Sequence, residues 1–123
     1  MNDNLQKRRK IEENLKSGYV LLDRTITSWE WYQDTEVFLL FIHLLLTCNW
    51  EPKTLQGVFI DRGQILTSNL NLSKEVNLPL QKVQTALNKL ISTNEITIET
   101  TNKYIIITLC NFKNYQTNEG VEY

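Results

Sequence analysis

The sequence predicts an α+β fold, mainly α, on three observations. Two short amphipathic helical segments are interrupted at Asn77, Leu78 and Pro79. Two runs of alternating polarity, 95–99 and part of 104–109, flank a polar tip of Thr100, Thr101, Asn102 and Lys103. A long apolar segment, 37–46, precedes both. An angled helix pair followed by a β-hairpin is a winged helix-turn-helix, here over residues 65–109 with an extra N-terminal segment.

At 123 residues the chain has room for one domain. We expect a polar, flexible extension over 1–17, the winged-helix domain over 18–116 and a flexible tail over 117–123. Hydrophobic residues at 41% and charged residues at 22% give the balance of a soluble globular protein. The apolar run 37–46 is interrupted by His43 and is about half the ~20 residues that a membrane span needs. It reads as a buried helix, with no membrane partner. The basic residues Lys7, Arg8, Arg9 and Lys10 are followed by no apolar core of a secretory signal, which points to the cytoplasm.

Residues 1–16 carry only Leu5, Ile11 and Leu15 as large apolar side chains after Met1, the pattern of a frayed tail or a marginal helix. Their basic run is either a solvated segment or a nucleic-acid contact. After Gly18, residues 19–26 are apolar enough to pack, and Trp29, Trp31 and Tyr32 follow. Aromatics this dense anchor a core or form an oligomer surface.

Asp34 or Thr35 caps the next helix, and Val37, Phe38, Phe41, Leu44 and Leu45 make it apolar on most sides, so it belongs in the middle of the fold. His43, without a partner at meaningful spacing, reads as structural. Residues 49–56, with Pro52, read as a loop. Residues 57–60 and 64–67 then flank Asp61, Arg62 and Gly63, as a hairpin or a bent strand whose second arm opens the winged fold.

Ser68 or Asn69 caps the first helix of the pair and Asn71 or Ser73 its turn, while Leu70, Leu72 and Val76 are expected to be buried. Asn77 tolerates the left-handed conformation that ends a helix. Pro79 suits the first turn of the next, where its missing N–H is not needed. That second helix, 79–92, draws an apolar stripe from Leu80, Val83, Leu87, Leu90 and Ile91, with Ala86 beside it. After the hairpin, Phe112 and Tyr115 are placed to fold back on the core.

Outside the stripe stand Gln81, Lys82, Gln84, Thr85, Asn88 and Lys89, a face without a carboxylate. A major groove admits one α-helix, and its base edges offer donors and acceptors. Gln81, Gln84 and Asn88 can pair with adenine, Lys82 and Lys89 can reach phosphate or guanine, and Thr85 can meet a thymine methyl or a backbone oxygen. Thr101, Asn102 and Lys103 at the wing tip can contact a neighbouring phosphate. The same residues would equally solvate an exposed helix and hairpin, and winged domains also serve as pure protein-interaction modules. The net charge of -1 gives no global attraction to a polyanion, so any DNA affinity should be modest and salt-dependent.

Cys48 and Cys110 lack partners at metal-ligand spacing and read as buried thiols. With no nucleophile-and-base pair, phosphate loop or metal cluster, an enzyme and a cofactor are not expected.

The residues also resemble a known family. Gly18, Tyr19, Leu22, Arg24, Trp29, Glu30, Trp31 and Tyr32, then residues 41–46, carry the likeness. It continues through Gly57, Arg62, Gly63, Gln64, Thr67, Ser68, Leu72, Ser73, residues 83–87, Leu90, Thr93, Glu95, Ile96, Thr97, Asn102, Lys103 and Tyr104. Over 18–116 the chain resembles the N-terminal winged-helix domain of phage and prophage replisome organisers, relatives of the DnaD primosomal proteins. The resemblance implies a role in replication initiation: binding origin DNA, self-association into a homo-oligomer, and recruitment of a replication helicase or helicase loader. Members of that family continue into a second helical domain, so the resemblance implies a truncated form or a stand-alone paralogue. A small winged-helix transcription regulator would present the same surface.

Overall fold

A computed structural model describes residues 19–115. The expected extension 1–17, with its basic run, and the expected tail 117–123 lie outside them. Among the described residues, three α-helices and two small antiparallel sheets form an α+β fold, and no helix is long and apolar enough to cross a membrane. In chain order the elements are α1 (Thr35–Thr47), β1 (Lys53–Leu55), β2 (Val58–Ile60), β3 (Gln64–Thr67), α2 (Asn69–Val76), α3 (Leu80–Ser92), β4 (Ile96–Thr100) and β5 (Ile105–Leu109). Short 3-10 helices at Arg24–Ser28 and Phe112–Tyr115 bracket them. The larger sheet runs β3-β5-β4, with Ile65 opposite Ile107 and Ile98 opposite Ile107 on its other side. This order and topology are compatible with a winged helix-turn-helix.

The caps show why each helix starts and stops where it does. Asp34 accepts a hydrogen bond from the Val37 N–H at 3.3 Å and so starts α1, and Ser68 does the same for the Asn71 N–H at 3.1 Å in α2. Asn71 and Ser73, the other candidates, lie inside α2. Asn77 adopts φ 57 and ψ 48, the left-handed conformation that ends α2. Ser73 secures the turn: its carbonyl accepts the Leu78 N–H at 3.1 Å and its hydroxyl donates to the Leu78 carbonyl. Pro79 then precedes α3, where its carbonyl accepts the Lys82 and Val83 N–H groups. At the far end of α3, Asn94 (φ 62) is again left-handed, and the Glu95 N–H bonds the Leu90 carbonyl at 3.0 Å, which turns the chain into β4.

The core lies where α1, α2 and α3 meet the three-stranded sheet. Val37, Leu40, Phe41, Leu44, Leu72, Val83, Ala86, Leu87, Leu90, Ile96 and Ile107 are all 3% exposed or less. Trp29 and Trp31 are half-buried, and each indole N–H has a partner: Glu95 Oε2 at 3.2 Å and Thr93 Oγ1 at 3.0 Å. The aromatic cluster therefore closes the N-terminal segment over the end of α3. Tyr115 stacks edge-on against Phe41, and its carbonyl accepts the Leu21 N–H at 2.8 Å.

Several expectations are corrected. Residues 49–56 are not all loop, because β1 lies within them and pairs with β2. Gln56 (φ 50) and Gly57 (φ 80) form the two-residue turn between β1 and β2, since positive φ at both central positions matches the twist of a tight hairpin. Residues 57–60 therefore do not form a hairpin with 64–67, and β3 pairs with β5 instead. Gly63 does supply the positive φ (77) that bends the chain between them, and a Cβ there would lie 2.9 Å from the Phe112 side chain. Leu70, Leu80 and Ile91 are exposed rather than buried. Leu70 falls in the first turn of α2, and Leu80 and Ile91 fall at the margin of a stripe centred on Val83, Ala86, Leu87 and Leu90. Tyr19, Leu21, Leu22 and Tyr32 are also exposed, because the N-terminal segment touches the core mainly through Val20, Trp29 and Trp31. Cys48 is buried, and burial pushes its thiol up to about 11, but Cys110 lies exposed in the turn after β5.

Candidate functional site

The outward face of α3 is built by the turn that precedes it. With Asn77 reversing the chain and Val83, Ala86, Leu87 and Leu90 turned inward, helical periodicity leaves Gln81, Gln84, Thr85 and Asn88 exposed along one side. The amides of Gln81, Gln84 and Asn88 have no hydrogen-bond partner among the described residues. The Thr85 hydroxyl donates to the Gln81 carbonyl at 3.0 Å, which leaves its methyl and the acceptor side of its oxygen for recognition. This face carries neither charge sign.

The two lysines of the helix differ. Lys89 Nζ donates to Asp34 Oδ2 at 2.8 Å and stands 5.9 Å from the centre of the Trp31 ring. The same contact is the main reason the Asp34 carboxyl sits below the usual carboxylate range. Lys89 therefore braces α3 against the start of α1 and is not a free cation, contrary to the expectation that it reaches a groove. Lys82 Nζ lies 3.9 Å from Glu36 Oε1 with both side chains well exposed, a contact worth little that a competing phosphate could displace. Both acids come from α1, distant in sequence, so no local pattern around Lys82 or Lys89 announces the pairing.

At the tip of the β4–β5 hairpin the Thr101 hydroxyl is used internally. It donates to the Tyr104 carbonyl at 3.0 Å and accepts the Tyr104 and Lys103 N–H groups at 3.1 and 3.3 Å. This holds the β4–β5 connection closed and leaves the exposed Asn102 and Lys103 as its presenting side chains.

A second surface lies on α1. Its inward residues fill the core, while Leu39 (43% exposed) and Leu46 (65%) face out with the partly exposed Ile42 between them. With Thr35 they recur at spacings of four, three and four residues. Tyr32, Thr35, Phe38, Leu39 and Ile42 line a shallow apolar groove at its N-terminal half. The sequence showed a helix apolar on most sides but not that one side would be left uncovered. His43 sits beside this stripe, and its Nε2 meets Glu75 Oε1 of α2 at 2.9 Å, a structural link.

Beneath the aromatic cluster, Glu95 accepts the Trp29 indole N–H, and burial raises its carboxyl above the ordinary value. The phenol of Tyr115 is raised as well, by its own burial and by the Glu95 charge. Among the described residues, no group of three histidine, cysteine or acidic side chains is placed to hold a metal ion. No family model, curated protein or solved structure matches the chain.

Proposed function

We propose that the chain is a winged-helix DNA-binding and scaffolding module of a phage-type replication initiation protein, acting in the cytoplasm. The observation that carries DNA binding is the uncharged, donor- and acceptor-bearing side of α3, formed by Gln81, Gln84, Thr85 and Asn88 and held out by a three-residue turn. A helix of that kind can enter a major groove, and Lys103 on the adjoining hairpin can add a phosphate contact. The replication role, with a helicase or helicase loader as partner, rests on the resemblance to replisome organisers.

The test is fluorescence anisotropy of a labelled duplex at low salt, comparing the native chain with Asn88→Asp. This near-isosteric change at an exposed position sets a carboxylate against the groove. Binding should weaken at least tenfold, as for loss of one good base contact plus a new repulsion, on the order of 1–3 kcal/mol. Unchanged binding would remove α3 as the reading helix. A helicase or loader encoded beside this chain would support the replication role.

A second reading, a protein-interaction and oligomerisation domain without DNA binding, is favoured by the stripe of Leu39, Ile42 and Leu46, because an apolar helix face left in water is a common mark of a contact surface. Light scattering across a concentration series that showed only monomer would count against self-association through it.

A further inference from the structure

Resting on the reading of α3 as a DNA-binding helix, we infer that its site selects A·T over G·C base pairs. Guanine is read chiefly by an arginine or lysine reaching O6 and N7, whereas adenine is read by an asparagine or glutamine amide, and a thymine methyl by an apolar contact. Residues 80–92 contain no arginine. Of the two lysines, Lys89 is held at 2.8 Å by Asp34, the cap of α1, which draws it off the face, and Lys82, 3.9 Å from Glu36 and well exposed, is the one cation left beside the amides. What α3 presents instead is Gln81, Gln84 and Asn88, three exposed amides at spacings of three and four residues. Thr85, whose hydroxyl is taken up by the Gln81 carbonyl, offers a methyl between them, and Leu80, 42% exposed one turn before Gln84, adds a second apolar group.

Selectivity therefore arises in two ways. The amides match adenine, and Asp34 keeps Lys89 from matching guanine. Amide and methyl contacts carry no charge, so the discrimination between the two kinds of base pair should persist as salt is raised even where the total affinity falls.

The experiment compares two labelled duplexes of equal length, one of mixed A·T pairs and one of mixed G·C pairs, titrated with the whole chain by anisotropy. The A·T duplex should bind about tenfold more tightly, the discrimination of roughly one good bidentate contact. The double variant Gln84→Ala with Asn88→Ala, at exposed positions that leave the core untouched, should lose most of that preference while keeping its circular dichroism spectrum. Equal binding of both duplexes by the native chain would overturn the selectivity and leave DNA binding standing. Binding of neither would overturn both. A preference that survives intact in the double variant would remove the amides as its source.

Discussion

The two longest helices, α1 and α3, are each thirteen residues long and pack against one another, yet they turn opposite surfaces to water. Inward they are alike: Val37, Leu40, Phe41 and Leu44 on one, and Val83, Ala86, Leu87 and Leu90 on the other, are all nearly fully buried. Outward, α1 shows Leu39, Ile42 and Leu46, and α3 shows Gln81, Gln84, Thr85 and Asn88. Their charged groups meet at the seam, where Asp34, the cap of the first, holds Lys89 of the second at 2.8 Å and Glu36 lies 3.9 Å from the exposed Lys82. The lesson is that burial on one side sets where a helix lies, while the chemistry of its other side is free to differ. One helix is suited to an apolar contact and its neighbour to a polar one.

The largest effect should come from the inward faces and be the same for both helices. Leu40→Ala in α1 and Leu90→Ala in α3 each empty a position that is 0% exposed, and each should cost about 2–5 kcal/mol of unfolding free energy in urea titrations. A loss below 1 kcal/mol at either site would break the equivalence.

A smaller loss, about 1 kcal/mol, is expected for Asp34→Ala, which removes the α1 cap and the Lys89 partner together. The same residue sets a pH dependence. Its folded carboxyl lies below the ordinary value because of Lys89, so its contribution is present above the unfolded value and lost as pH falls through the folded one. Glu95, just beyond α3, carries the opposite sign. Its folded carboxyl is raised by burial, so the native state holds the proton more tightly and stability falls as pH rises through the raised value. Thermal midpoints of Asp34→Asn and Glu95→Gln followed over acidic pH should each lose one of these slopes. Parallel profiles for both variants and the native chain would contradict the assignment.

The smallest effects on stability belong to the outward faces. Leu46→Ser and Gln84→Ala should each stay within about 0.5 kcal/mol of the native chain. They should separate in function: Leu46→Ser should reduce concentration-dependent association in light scattering without altering duplex binding, and Gln84→Ala the reverse. If both variants alter both properties, the two faces are not independent surfaces.

The helix pair α2–α3 and the turn between them were legible because their signals are local. Ser68, Asn77 and Pro79 act through hydrogen bonds and backbone conformations within a turn of their own positions, and the period of Val83, Leu87 and Leu90 marks the buried side directly. The β4–β5 hairpin was legible for the same reason, from its alternation and polar tip. The β1–β2 hairpin was missed because its strands are only three residues each and Gly57 was read as the beginning of a strand rather than as part of a turn. The candidate site was half legible. The amides on α3 followed from periodicity, but the withdrawal of Lys89 did not, since Asp34 lies 55 positions away.

By itself the sequence determined the α+β class, the caps and turn around Asn77, and the centre of the inward stripe of α3 at Val83, Ala86, Leu87 and Leu90. These depend on interactions spanning a few residues, where the backbone leaves little choice. Only the tertiary structure decided that α1 keeps one apolar side in water, that its cap Asp34 holds Lys89 of α3, and that Trp29 and Trp31 clamp the N-terminal segment onto Glu95 and Thr93. Each of those outcomes depends on which segments distant in sequence come to lie side by side.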